Sequence, residues 1–276
     1  MRWNFQRNIM SMFSRRKKLI IVGCSYTDNY AKKHKMPEFP IWGELLADKL
    51  DMDLINLGRC GFGNQAIYTT ILERTLKEKN VGLIVAMWSE VQRLNIYKNT
   101  QLNPKWQHYN WQCFHPERIV LDAEWHDQFY KPPSKNPKKS GLQWDVSNVY
   151  RDYDIDCIKG ATISSLSFMY SFQNFCEAND VPYLQVQGCQ PLMGKSEPTQ
   201  NIQYKEFCNL IINSPYVDKI KDTFLGWPID PRIGGYSIDS KLEDEHRFAP
   251  EDTHPNEIGH KFISEVLYNA ISSKWV

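Results

Sequence analysis

Three short stretches carry side chains able to do chemistry together. The first, LIIVGCSYTDNY (residues 19–30), runs an apolar segment into Gly23-Cys24-Ser25. A strand ending there leaves the Ser25 hydroxyl at the carboxyl edge of a sheet, with its own N–H available to an oxyanion. Taken alone, a serine after Gly-x is a common turn residue. Cys24 is the other candidate nucleophile, but it points the opposite way along the strand and reads as a small buried apolar group. The second stretch, INLGRCGFGNQAI (55–67), ends a strand on Gly58 and supplies Gly61, Gly63 and Asn64 before a helix. Glycines let backbone N–H groups approach a ligand, and Asn64 either caps the helix or points its amide at the same place. Neither G-x-x-x-x-G-K-[ST] nor G-x-G-x-x-G is present, so a phosphate-binding loop is not expected. The third stretch, APEDTHPNEIGHKF (249–262), puts Asp252 two positions and Glu251 three positions before His254. Either acid can fold back onto the imidazole Nδ1–H and leave Nε2 free to take a hydroxyl proton. Pro255 then starts the last helix.

The elements that must position these groups follow from periodicity. Leu19–Gly23, Met52–Leu57, Leu83–Trp88 and Pro182–Val186 have strand length and β-branched content without strict alternation, as expected of strands buried on both faces. Between them the period becomes helical: Ile41, Trp42, Leu45, Leu46 and Leu50 share one face, as do Ile67, Ile71, Leu72 and Leu76. Ile163–Cys176 and the stretch holding Phe262, Ile263, Val266, Leu267 and Ala270 supply two further helices. Alternating strands and helices predict an α/β three-layer sandwich, a mostly parallel sheet with helices on both faces and active-site loops at the carboxyl ends of the strands. Residues 98–160 break the pattern with Trp106, Trp111, Trp125 and Trp144 and read as an aromatic-rich insertion. The expected organisation is a basic lead-in over 1–17 and one domain over 18–276.

Composition narrows the classes. Lys+Arg 33 against Asp+Glu 32 gives a net charge of +1, so no global field favours nucleic acid or an anionic membrane. The seven cysteines are scattered and never form C-x-x-C, which argues against a zinc ribbon or a complete disulfide framework. No paired ligand spacing appears among the remaining histidines, and no metal is expected. The N-terminal stretch lacks an apolar signal core, and no run approaches the ~18 apolar residues of a bilayer span. A cytoplasmic chain with reduced thiols is the expectation.

In this order, G-x-S after the first strand, N-x-G-x-x-G after the second and an acidic-x-His-Pro before the last helix resemble the SGNH, or GDSL-type, hydrolase family. The resemblance covers nearly the whole chain from Lys18. It implies the flavodoxin-like fold of that family, Ser25 as nucleophile, His254 as base, and the N–H groups of Ser25 and Gly61 as oxyanion donors. Asp252 is the implied acid; the family's D-x-x-H spacing falls on Glu251, which stands as the alternative. Where the family has G-x-N-D, this chain reads Met87-Trp88-Ser89-Glu90-Val91-Gln92-Arg93. The asparagine donor is missing, and Asn64, Ser89 or Arg93 is the candidate to replace it, with Trp88, Ser89 and Arg93 placed toward substrate. The W-[ST]-x-x-x-R segment is similar to divergent SGNH-like proteins of tailed phages, which makes a virion association an alternative location. The implied function is a serine esterase, without cofactor, that removes an acetyl-like group from a carbohydrate or similar hydroxylated partner. The alternative is a non-catalytic virion or glycan-binding module of the same fold.

Overall fold

The strands form where apolar residues crowd together. In the computed structural model, which describes residues 16–33, 36–97, 111–114, 149, 152–153, 157–192, 198–220, 222–250 and 252–275, β1 spans Lys18–Val22, β2 Asp53–Asn56 and β3 Val81–Trp88. After β3, β4 (Leu94–Tyr97) and β5 (Trp111–Phe114) pair as an antiparallel ribbon; β6 (Tyr183–Gln187) and β7 (Phe224–Leu225) complete the main sheet. That sheet is five-stranded, in the order β2-β1-β3-β6-β7, and every pairing in it is parallel. Among the described residues the main sheet holds one strand more than the sequence predicts, β7, only two residues long, and the β4–β5 ribbon is not predicted either.

The helices cover both faces of the sheet. They are α1 (Tyr30–Lys33), α2 (Trp42–Leu50), α3 (Asn64–Lys77), α4 (Cys157–Ala178), α5 (Pro198–Ile212) and α6 (Glu257–Trp275). Successive strand side chains point to opposite faces. Ile20, Val22, Ile84, Ala86 and Trp88 accordingly pack with Ile67 and Ile71 of α3, Leu166 and Phe172 of α4, and Phe207 of α5. Leu19, Ile21, Leu83, Val85 and Met87 pack with Trp42 and Leu46 of α2 and Ile263 and Leu267 of α6. This is the α/β/α sandwich that the alternating pattern predicts. Leu76, assigned to the buried stripe of α3, is instead exposed near the helix end.

The order 2-1-3 at one side of the sheet means that the chain leaves β1 toward β2 on one flank and reaches β3 on the other. The crevice between the carboxyl ends of β1 and β3 is such a switch point, where connecting loops diverge and leave room for a ligand. Most of the expected insertion lies outside the described residues, as do Trp106, Trp125 and Trp144 and the lead-in up to residue 15. Within it β5 continues the ribbon begun by β4, Trp111 meets Tyr97 edge-on with ring centroids 5.2 Å apart, and its last residues, from Cys157, begin α4 instead.

Candidate active site

The turn after β1 is tight. Thr27 and Asp28 both donate their N–H groups to the Cys24 carbonyl, at 3.0 and 3.1 Å, which wraps the chain around Ser25. The loop after β2 is tied to this turn: Arg59 N–H donates to the Gly23 carbonyl, Cys60 N–H to Asp28 Oδ2 (2.7 Å) and Asn56 Nδ2 to the Thr27 carbonyl. Gly58 allows that contact, since a Cβ there would lie 2.7 Å from Thr27 backbone and side-chain atoms. Gly61, with φ +84°, adopts the left-handed region that favours glycine. Among the described residues, neither the Ser25 N–H nor the Gly61 N–H donates to an acceptor within the protein. Two backbone donors are thus left at the edge of the crevice.

The last loop meets this edge. His254 Nε2 lies 2.9 Å from Ser25 Oγ, and His254 Nδ1 lies 2.6 Å from Asp252 Oδ1. The same carboxylate oxygen accepts the His254 backbone N–H at 3.2 Å, and Oδ2 accepts the Tyr30 hydroxyl at 3.1 Å. Burial alone would raise the Asp252 carboxyl, but hydrogen bonds from the His254 ring and backbone, with help from Tyr30, outweigh it and hold the carboxyl below its ordinary range. Asp252 therefore stays ionised and keeps the Nδ1 proton facing it, which presents Nε2 as the basic nitrogen toward Ser25.

The loop is held from below by a part-buried ion pair. Arg247 Nη1 donates to Asp239 Oδ1 (2.8 Å) and to the Thr253 carbonyl (2.7 Å), while Nη2 reaches the Asp239 and Leu242 carbonyls. Tyr26, next to Ser25, donates its hydroxyl to Asp239 Oδ1 at 2.5 Å. Phe248 N–H to the His254 carbonyl, and Ala249 N–H to the Asp252 carbonyl, close the loop on itself. Trp42 joins both halves: its indole N–H donates to the Tyr26 carbonyl and its backbone N–H to His260 Nδ1.

No family model and no curated protein matches the chain. Solved structures do. An acetylxylan esterase from Geobacillus stearothermophilus is 11% identical, with a TM-score of 0.45 over 95% of this chain and 97% of that one. A psychrotrophic esterase, EstA, from Pseudoalteromonas sp. is 10% identical, with a TM-score of 0.46 over 93% and 97%. A protein described as lipolytic and of the G-D-S-L family, from Desulfitobacterium hafniense DCB-2, is 13% identical, with a TM-score of 0.46 over 92% and 99%. At identities of 10–13% and TM-scores below 0.5, nothing about chemistry transfers from these proteins to this chain.

Several residues expected near substrate are placed elsewhere. The Asn64 amide donates to the Ser89 carbonyl (3.2 Å) and to Ser165 Oγ (3.0 Å), and its oxygen accepts the Ser89 N–H (2.8 Å). With both amide hydrogens committed, Asn64 neither caps its helix nor offers a donor to an oxyanion; it ties the end of β3 to α4. Ser89 is fully buried, its hydroxyl facing Cys189. Trp88 is a core residue rather than a substrate contact, edge-on to Phe172 with its indole N–H on Gln185 Oε1. Arg93 is buried too, paired with Glu90 at 2.5 Å and donating to the Phe62 carbonyl, so it braces the loop that carries Gly61. Glu251 lies outside the described residues.

Cys24 is buried with its thiol 3.4 Å from that of Cys189, on the side of the turn away from the crevice. Tyr30, Tyr26, Asp239 and Arg247 were not singled out by sequence reasoning. Each is an isolated polar or aromatic residue with no periodic cue, and only the fold brings them to the loop of His254. Among the described residues no cluster of His, Cys, Asp and Glu could hold a metal ion, and no helix is long and apolar enough to cross a membrane.

Proposed function

We propose that the chain is a serine ester hydrolase. The observation that carries this is the continuous hydrogen-bonded line from Ser25 through His254 to the Asp252 carboxylate. Ser25 Oγ attacks the ester carbonyl carbon as Nε2 takes its proton, and the carbonyl oxygen gains the negative charge. The N–H groups of Ser25 and Gly61 receive that oxygen. As the intermediate collapses, the bond to the alcohol oxygen breaks and the imidazolium returns the proton to it. Water, activated by the same imidazole, then cleaves the acyl-enzyme and regenerates the hydroxyl.

A small acyl group on a hydroxylated carrier fits best. Ser25 is 5% exposed, which favours a small acyl group over a bulky one, and the sequence between β3 and α4 is rich in tryptophan, the residue type on which sugars stack. Absence of a side-chain oxyanion donor costs about 10² to 10³ in rate, so turnover is expected to be slow. A non-catalytic binding module is the second reading, favoured by the commitment of both Asn64 amide hydrogens.

A fluorophosphonate probe distinguishes them. The esterase is expected to be labelled at Ser25, to hydrolyse p-nitrophenyl acetate, and to lose both properties in Ser25→Ala with an unchanged melting temperature. Folded wild-type protein that takes no label and cleaves no ester overturns the enzyme and leaves the module.

A further inference from the structure

We propose that Tyr30 is a positioning residue that clamps His254 and Asp252 into their reactive arrangement through two separate contacts, a ring stack and a hydrogen bond. This rests on the serine hydrolase reading and assigns a role in it to a side chain with no part in the line of proton transfer.

The Tyr30 ring lies parallel to the imidazole, with centroids 3.8 Å apart and planes at 11°. On another side the Tyr26 ring meets the imidazole edge-on at 5.8 Å and 60°. His254 is exposed enough, at 26% of its side chain, to rotate away from Ser25 unless something holds its plane. Rotation about either side-chain torsion would take it out of the stack. The Tyr30 hydroxyl meanwhile binds Asp252 Oδ2, while Oδ1 serves the histidine. Both carboxylate oxygens are therefore fixed, and the carboxylate cannot turn without losing one partner.

The stack also acts on charge. The ring face carries negative potential, so an imidazolium formed during proton transfer is favoured over it by about 0.5–2 kcal/mol, about 2- to 30-fold in rate. Tyr30 can play this part because it stays protonated: burial and the neighbouring Asp252 carboxylate push its phenol up to about 12. Tyr30 is in turn backed by Phe248, ring centroids 6.1 Å apart, on the loop that carries the acid and base. The clamp is thus part of the same closed unit.

The test separates ring from hydroxyl. Tyr30→Phe keeps the stack and loses the hydrogen bond; Tyr30→Leu loses both, and Tyr30→Met is a second ring-free variant in case leucine disturbs folding. With p-nitrophenyl acetate, the ring-free variants are expected to lose about tenfold in kcat with KM within about twofold. Phe should recover most of that loss, staying within about threefold of wild type. A second readout needs no turnover: the far-downfield proton resonance of His254 Nδ1–H, sheltered from exchange in wild type and Tyr30→Phe, should broaden away in Tyr30→Leu. Folded ring-free variants with wild-type kcat and a sharp resonance overturn the clamp. Equal losses in Phe and Leu overturn the stacking role, and a wild-type protein lacking the sheltered resonance overturns the whole arrangement. A wild type that keeps the resonance but cleaves no ester overturns the hydrolase reading and leaves the clamp standing.

Discussion

Replacing Asp252 by asparagine separates the charge of the acid from its shape. The amide can face His254 in two ways, with oxygen or with nitrogen toward Nδ1. Oδ1 receives both the ring Nδ1–H and the His254 backbone N–H, so an NH₂ group there would meet two donors. The Tyr30 hydroxyl on the other side can accept as well as donate, and it tolerates the NH₂. The amide oxygen therefore stays toward His254 and the tautomer is preserved, leaving the loss of negative charge as the main effect. Unit charges about 4 Å apart interact by about 4 kcal/mol at an effective dielectric of about 20. Both side chains are 26% exposed, and screening roughly halves that, to about 2 kcal/mol, or about 30-fold in kcat. Asp252→Ala removes orientation as well and should approach the loss on the order of 10⁴-fold that follows removal of a triad acid. The assay is p-nitrophenyl acetate hydrolysis at fixed pH, with melting temperatures to confirm folding. An asparagine variant as impaired as the alanine one would mean that the amide has flipped and that the donor pattern around Oδ1 does not govern it. An asparagine variant within about threefold of wild type would remove the carboxylate charge from the mechanism.

Two further variants probe the frame around the site. Asn64→Ala leaves the buried Ser89 N–H without its acceptor and should destabilise by about 1–3 kcal/mol in urea unfolding; a variant of unchanged stability but lower kcat would instead return Asn64 to the oxyanion. His260, whose burial and whose neighbour His254 lower it from 6.5 to about 3, accepts the Trp42 N–H while neutral. Only the unfolded chain takes up that proton between those values, so stability falls as pH falls from about 6.5 toward about 3. His260→Asn, which retains an acceptor, should flatten that stretch of the stability–pH curve, and an unaltered curve would show that His260 is not the group responsible.

The strands at the centre of the sheet were legible because both of their faces are buried. Leu19–Gly23 and Leu83–Trp88 were read within two residues of β1 and β3 for that reason. Short or weakly patterned elements escape such reasoning: β7 holds two residues, and α5, whose sequence PTQNIQYKEFCNLII carries no clear apolar period, is not predicted. At the site, chain order was enough to bring Ser25, Gly61 and His254 to one edge of the sheet, since each follows or precedes a regular element. What pattern cannot give is the partner of a polar side chain. Asn64 could equally have faced the crevice, and only the position of the Ser89 peptide and Ser165 decides that it does not. Trp88 misled for a related reason, since its indole N–H finds Gln185 inside the sheet.

Ser25 stands in the turn after the first strand of the sheet, and His254, its base in the proposed mechanism, stands 229 positions later, just ahead of α6. Every strand of the sheet leaves the ribosome before His254 does. Until the chain has been made as far as His254, the serine is chemically ordinary, because its partner does not yet exist. It gains a base only when the segment from Arg247 onward docks against Tyr26 and Asp239. Closures between distant parts of a chain are slow compared with the formation of local helices. A serine-directed probe added during synthesis or refolding should therefore mark only molecules in which the His254 loop has docked on the Ser25 turn, and reactivity at one hydroxyl becomes a clock for that docking.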